Sequence, residues 1–457
     1  MRVLFFIAGI LISGLSFAQQ FKGNWEGNLE VMGQSLPIII HIDYENESYS
    51  ATMDSPKQGA KGIALDSKLN SPNELILSST QLNLKYTLQY IDQENLDGRF
   101  MQNNMAFDLD LKPMKEEEVK IKNSIADYIT REFIIDVGEH QIAGEINSPF
   151  TGEKHPLLIL IAGSGPQDRT GEVLGNEIFT ELTLKLIREE WAVLRFDERG
   201  LGKSTGSHES ADTYDLADDV NALINYAAKS EFVDENNIIL IGHSEGGLIA
   251  PIVANKNKNV KGFISIAGPS LNGDQILREQ SEVIFKQSGL SEQELEKRMA
   301  LINKQYDLML AKNAQNKDSV ELLLEENLRK QLSLQKLNKD QMRTYLNKGK
   351  SQLNSPWINT FIKIDVAKTI RNIKKPALYI YGEKDVQVIS NSNIKALNKT
   401  LNSEQKEKVK IVELKQHNHL MQVCDSCTIE EYSALPGEFS KELIDTLKAW
   451  LILNINM

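Results

Sequence analysis

Ser244 lies in Ile238-Ile-Leu-Ile-Gly-His-Ser-Glu-Gly-Gly-Leu-Ile-Ala250, a serine fenced by glycines between two apolar segments. A hydroxyl on so tight a strand-to-helix corner reads as a G-x-S-x-G nucleophile elbow, which lifts the side chain to the carboxyl end of a sheet. Gly242, Gly246 and Gly247 keep side chains from colliding around it. The N–H of Glu245 can then face an oxyanion. A serine hydroxyl is a poor nucleophile until a base takes its proton, and the base needs an orienting carboxylate. In the chain order Ser, acid, His, the acid is Asp385 or Glu383, in Gly382-Glu-Lys-Asp385 after the apolar run Ala377–Tyr381. The base is His417 or His419, in Lys415-Gln-His-Asn-His-Leu420 after Val409–Leu414. A second oxyanion donor is expected in the glycine-bearing loop after Leu157–Ala162, from the N–H of Ser164 or Gly165. Arg169, in the same loop, is a candidate substrate contact or a loop-stabilising ion pair.

These residues need a sheet to carry them. From about Arg131 the chain offers an antiparallel lead-in, Glu132–Asp136 and Ile142–Ile146. Near-continuous apolar strands follow at Leu157–Ala162, Ala192–Phe196, Ile238–Gly242, Gly262–Ala267 and Ala377–Tyr381. Helical stretches such as Ile178–Glu189 and Ala211–Lys229 intervene. Apolar strands alternating with helices predict a mostly parallel sheet covered on both faces. Between Asn272 and Asp365 a long Lys/Glu/Gln-rich helical stretch adds no strand, so it is expected as a helical cap inserted at one end of the sheet, over about 272–365. Residues 20–113 read differently. Short alternating strands, among them Ser35–Ile42, Asn73–Ser78, Leu82–Leu88 and Met105–Leu111, predict a small antiparallel β domain, a sandwich or barrel. The charged run Lys115–Lys122 connects it to an α/β domain spanning 130–457.

The chain has 457 residues, 41% hydrophobic and 25% charged, in keeping with a globular protein of more than one domain. A formal net charge of −12 argues against a nucleic-acid partner, which requires clustered Lys and Arg. Residues 1–18, with Arg2, an apolar stretch to Leu15 and Ser16-Phe17-Ala18, read as a secretory signal peptide. The apolar run is shorter than the roughly 20 residues of a spanning helix, so no stable membrane span is expected and the mature protein is placed in the periplasm or outside the cell. Cys424 and Cys427 are the two cysteines. An exported protein favours a short-loop disulfide, with two free thiols as the other reading.

The second part of the chain resembles the α/β-hydrolase superfamily, specifically EstD-type carboxylesterases and the related serine aminopeptidase-like hydrolases. The matching segments are Gly163-Ser-Gly-Pro-Gln-Asp-Arg169, Arg195-Phe-Asp-Glu-Arg-Gly-Leu-Gly-Lys-Ser204, Gly242-His-Ser-Glu-Gly-Gly247, Gly382-Glu-Lys-Asp385 and Asn418-His-Leu420. The last resembles the family's histidine motif and selects His419 over His417. The Arg195–Ser204 segment resembles a scaffold loop. Ser355-Pro-Trp357-Ile-Asn-Thr-Phe361 resembles a segment that re-enters beside the site, which makes Trp357 a second candidate substrate contact; as residues alone, Trp357 and Phe361 read as core aromatics. The β-rich region, including Asp54-Ser-Pro-Lys-Gln-Gly59, resembles an accessory domain found before such hydrolases. One departure is Ala162-Gly163 where relatives often have His-Gly.

The resemblance implies an α/β-hydrolase fold and an exported serine hydrolase acting on carboxylic esters. Its triad would be Ser244, His419 and Asp385, its oxyanion donors the N–H groups of Glu245 and Ser164. No metal or organic cofactor is called for, the partner is a small-molecule ester, and oligomeric state is left open. A peptidase or amidase on the same triad, and a non-catalytic binding protein with a degenerate hydrolase fold, are the rival expectations.

Overall fold

The computed structural model describes residues 20–455 except 32–33, 46–47, 56–59, 81, 103–104, 114–127, 150–152, 174–175, 336 and 436. The expected signal peptide and the Lys115–Lys122 connection fall outside the described residues. Two compact units divide the chain, Met1–Ile125 and Ala126–Met457.

The first unit is an antiparallel meander. Strands at Gly23–Val31, Gln34–Glu45, Ser48–Ser55, Ala60–Ser71, Glu74–Ser79, Leu84–Asp92, Asn95–Gln102 and Met105–Asp108 pair with their sequence neighbours. The chain then turns back: Leu111 exchanges backbone hydrogen bonds with Leu96, and Lys112–Pro113 pairs with Glu26 and Trp25 of the first strand. The two ends of the meander are thereby joined into a barrel-like curl. Alternation sends Ile38, Ile40 and Ile42, Leu75 and Leu77, and Leu84, Tyr86 and Leu88 to one buried face, where they meet Phe21, Trp25 and Phe100.

The second unit is an α/β-hydrolase fold. Its eight strands are β1 (Tyr128–Val137), β2 (His140–Pro149), β3 (His155–Ile161), β4 (Ala192–Phe196), β5 (Val233–His243), β6 (Val260–Ile266), β7 (Ala377–Gly382) and β8 (Val409–Leu414). They lie in the order β1-β2-β4-β3-β5-β6-β7-β8. β2 is antiparallel to β1 and β4, and every later pairing is parallel. Helices cover both faces, which is why the central strands carry apolar runs. Leu157, Ile159 and Ile161 of β3 join the core that contains α2 (Thr213–Ala227) and α3 (Glu245–Ala254). Leu158 and Leu160 point to the opposite core, beside α1 (Ile178–Ile187) and a C-terminal helix, Lys441–Ile455. Each such side chain taken fully from water contributes roughly 1.5–3 kcal/mol.

Between β6 and β7 stand four helices, α4 (Gly273–Gln287), α5 (Glu292–Ala311), α6 (Lys317–Ser333) and α7 (Lys339–Asn354), then the short α8 (Pro356–Phe361). Side-chain caps start several of them: Ser291 with Glu294 opens α5 and Asn338 with Gln341 opens α7. The insertion has a small core of its own, in which Tyr306, Met309, Leu324, Leu328, Leu346 and Ile362 are buried together. Its many Lys and Glu residues mostly face water, in pairs such as Arg329–Glu325 and Lys330–Glu326. Among the described residues no helix is long and apolar enough to cross a membrane.

Candidate active site

β5 ends at His243, α3 begins at Glu245, and Ser244 between them adopts φ 53°, ψ −117°. That is a left-handed backbone for a residue with a Cβ, a strained state held by its surroundings. The surroundings are specific: Ser244 N–H donates to Ile266 O at 2.9 Å, and Gly247 N–H donates to Ser244 O at 2.9 Å. No side chain fits in the corner. A Cβ on Gly242 would lie 2.0 Å from Gly246 O, and one on Gly246 would lie 2.2 Å from Ile161 O.

At this corner Ser244 Oγ lies 3.0 Å from His419 Nε2, and His419 Nδ1 lies 2.8 Å from Asp385 Oδ2. Ser244 is half-buried, whereas Asp385 and His419 are buried. The other Asp385 oxygen accepts from the N–H groups of Gln387 at 2.7 Å and Val388 at 2.9 Å, so the carboxylate is fixed before it meets the imidazole. Asp385 and His419 follow β7 and β8 respectively, at the same end of the sheet as the elbow. The remaining candidates are engaged elsewhere. His417 bonds Lys415 O and Ser440 Oγ through its two ring nitrogens. Glu383 pairs with Lys415 Nζ at 3.0 Å.

His243, not singled out in the sequence, turns out to brace the base. Wholly buried, its Nε2–H donates to the carbonyl of His419 at 2.8 Å, and burial lowers its pKa to about 4. It is therefore neutral at physiological pH. Its place in Gly242-His-Ser244 was the available signal.

The loop after β3 runs beside Ser244. A Cβ on Gly163 would lie 3.1 Å from Ser244 Cβ, which brings the backbone carrying Ser164 close to the Ser244 side chain. The Arg195–Ser204 segment holds this loop. Asp197 accepts from Arg169 N at 3.1 Å and Lys203 N at 2.9 Å, and Glu198 accepts from Gln167 N at 3.0 Å. Arg169 takes the loop-stabilising one of its two expected roles. Its guanidinium clasps both oxygens of Asp197, at 2.9 and 2.7 Å, and reaches Glu145 at 3.4 Å, so it stabilises the loop. The hydrogen bonds from Arg169 and two backbone N–H groups outweigh burial and hold the Asp197 carboxyl below its usual range.

Trp357 does not offer its polar atom to a substrate. Its indole N–H donates to the Glu245 carboxyl, 2.8 Å from each oxygen, and its ring stacks on Phe361 with centroids 5.1 Å apart. Glu245 is buried and also accepts from Thr213 Oγ1 at 2.7 Å. Burial raises its pKa to about 7. Nearby, Glu198 is also raised by burial, and His208, 3.3 Å from Glu198, is raised by that carboxylate. Beyond His419, Cys424 and Cys427 form a disulfide, with Cys424 N–H donating to Gln416 O at 3.0 Å.

Chemically, the arrangement places a hydroxyl, an imidazole and a carboxylate in one hydrogen-bonded line above a helix N-terminus. It can deprotonate the hydroxyl and stabilise a negative oxygen nearby.

A model of the serine aminopeptidase (S33) family matches residues 176–422. Esterase EstD of Thermotoga maritima is 23% identical over 341 residues, 74% of this chain and 72% of the relative. Among solved structures, the Pf2001 esterase of Pyrococcus furiosus has a TM-score of 0.44 at 16% identity, over 72% of this chain and 91% of its own. Est1E of Butyrivibrio proteoclasticus, solved with ferulic acid bound, has a TM-score of 0.41 at 16% identity, over 71% of this chain and 100% of its own.

Proposed function

This chain belongs to the serine aminopeptidase (S33) family, and on that premise we propose that it is an exported serine hydrolase that cleaves carboxylic esters. Ser244 Oγ attacks the ester carbonyl while His419 Nε2 takes its proton. The carbonyl electrons move onto oxygen, and the N–H groups of Glu245 and Ser164 receive that oxyanion. Asp385 holds the imidazole in the tautomer whose Nε2 is free to accept, and stabilises the imidazolium that forms. Collapse of the tetrahedral intermediate expels the alkoxide, which leaves as the alcohol with the proton from His419. Water, deprotonated by the same imidazole, then releases the acid from the acyl-enzyme.

The observation that carries the reading is the line Ser244–His419–Asp385, at 3.0 and 2.8 Å, on a left-handed elbow. The helical insertion α4–α7 is the segment proposed to cap the site and set its acyl pocket. An aminopeptidase on the same triad would need an acid facing a substrate's free amine. The acid next to the proposed nucleophile, Glu245, has both oxygens bonded to protein groups and is not available for that role. Export rests on the signal-like residues 1–18 and is supported by the Cys424–Cys427 disulfide.

The test is release of p-nitrophenol from acetyl, butyryl and octanoyl esters by the mature protein and by Ser244→Ala. The expected result is turnover in the former and its loss, by about 10⁴-fold or more, in the latter. Equal activity in both would remove Ser244 as the nucleophile. Turnover confined to aminoacyl amides would establish the peptidase.

A further inference from the structure

Three helix N-termini meet at one buried carboxyl. Glu245, 3% exposed, is the first residue of α3. Thr213, the first residue of α2, donates to it from a fully buried hydroxyl, and Trp357, in the first turn of α8, donates from its indole. A parallel contact reinforces the junction: Thr360 Oγ1 donates to Asp212, the N-cap of α2, at 2.8 Å. α8 is where the chain returns to the sheet after the helical insertion. The insertion is therefore tied, through one indole N–H, to the residue that follows the nucleophile.

The position of that residue matters for chemistry. The N–H proposed to receive the oxyanion belongs to the Ser244–Glu245 peptide, and the anchored side chain branches from the same Cα. Holding the carboxyl at both oxygens limits rotation of this peptide, whose aim must be right for the N–H to stabilise charge. A buried carboxyl without such partners would be costly and would seek other ones. The Trp357 indole N–H and the Glu245 carboxyl are both spent on this contact.

We propose that the Glu245 side chain is a positioning group for the oxyanion-donating peptide, and that Trp357 keeps it in place when the insertion is seated. The inference rests on the serine-hydrolase reading above. Glu245 and Trp357 act through the backbone, not by touching substrate, so their loss lowers transition-state stabilisation and leaves ground-state binding nearly intact.

The test uses the full mature chain as wild type, Glu245→Ala, Glu245→Gln, Trp357→Phe and the Glu245→Ala/Trp357→Phe double variant. Each is assayed with p-nitrophenyl butyrate and with an alkylboronic acid, whose tetrahedral serine adduct presents an oxygen where the oxyanion would form. Glu245→Ala should lose about 10- to 100-fold in kcat, with KM within about twofold, and should weaken boronate inhibition in parallel. Glu245→Gln keeps an oxygen that can accept from Trp357 and should recover most of the rate. Trp357→Phe retains a ring against Phe361 and removes only the donor; it should lose several-fold in kcat. The double variant should be no slower than Glu245→Ala alone, because both changes break one linkage. Thermal melts accompany each assay, and Glu245→Gln and Trp357→Phe carry the test if Glu245→Ala does not fold. A kcat in Glu245→Ala or Trp357→Phe within twofold of wild type overturns the proposal, as do independent, multiplicative losses in the double variant. A wild type that cleaves no ester and takes no fluorophosphonate label overturns the hydrolase reading as well, a result distinct from an active wild type beside an equally active Glu245→Ala.

Discussion

In the N-terminal unit the buried set is almost entirely apolar. Trp25, Ile40, Leu77, Leu88 and Phe100 fill it, and the buried Tyr86 hydroxyl satisfies itself on Leu109 O at 2.5 Å. The α/β unit also buries an apolar sheet, yet Asp197, Glu198, His243, Glu245, Asp385 and His419 are buried too. All six stand at or just beyond the carboxyl ends of β4, β5, β7 and β8. Burying ionisable groups costs free energy that a structure tolerates where it needs shifted acidity or fixed direction. Glu145, His155 and Asp219 are buried elsewhere in the same unit, but only at the carboxyl end of the sheet do six such groups converge, and that end is the candidate site.

The contrast is open to test. Asp385→Asn should abolish the orientation of His419 while leaving the fold intact. Its kcat on p-nitrophenyl butyrate should fall about 10³- to 10⁴-fold with an unchanged circular dichroism spectrum. An activity within tenfold of wild type would place the acid elsewhere. Arg169→Ala, which strips the guanidinium from a buried Asp197, should destabilise the α/β unit by about 3 kcal/mol in urea unfolding. A substrate-binding role would instead raise KM and spare stability.

In the β unit, Leu88→Ala should cost about 2–5 kcal/mol through the cavity it leaves, with kcat unchanged. A loss of kcat at full folding would show that this unit contributes to turnover.

The smallest effect concerns pH. The pKa of Glu245 is raised in the fold from 4.5 to about 7, so its contribution to stability is complete below 4.5 and is lost as pH rises through about 7. For His243, lowered from 6.5 to about 4, the contribution is complete above 6.5 and is lost as pH falls through about 4. Each is worth at most about 3 kcal/mol. Thermal melts from pH 4 to 8 should therefore decline toward both ends, and Glu245→Gln should flatten the upper slope.

Much of this was legible beforehand because it is periodic or local. Apolar runs marked the central strands of the sheet, and glycines at 242, 246 and 247 marked the elbow, since close backbone approach leaves a compositional trace. β5 nevertheless begins at Val233, five residues before its apolar run, because its polar start pairs with His155 and Pro156 of β3. Strands such as Ser48–Ser55 and Ala60–Ser71 carry weaker alternation and emerge from their partners. Arg169 and Trp357 were visible as polar or aromatic residues near the site, but the direction of a side chain is set by neighbours far away in sequence.

The sequence by itself determined the candidate serine, the order of its candidate partners and the sheet that brings them to one end, because each depends on residue type at short range or on repeating hydrophobicity. The resemblance had already selected His419 over His417; only the tertiary structure decided how His419 Nε2 reaches Ser244, that Arg169 serves Asp197, and that Glu245 holds Trp357. Those choices rest on hydrogen bonds across separations of 28 to 175 residues, and a bond between distant groups has geometry but no local pattern.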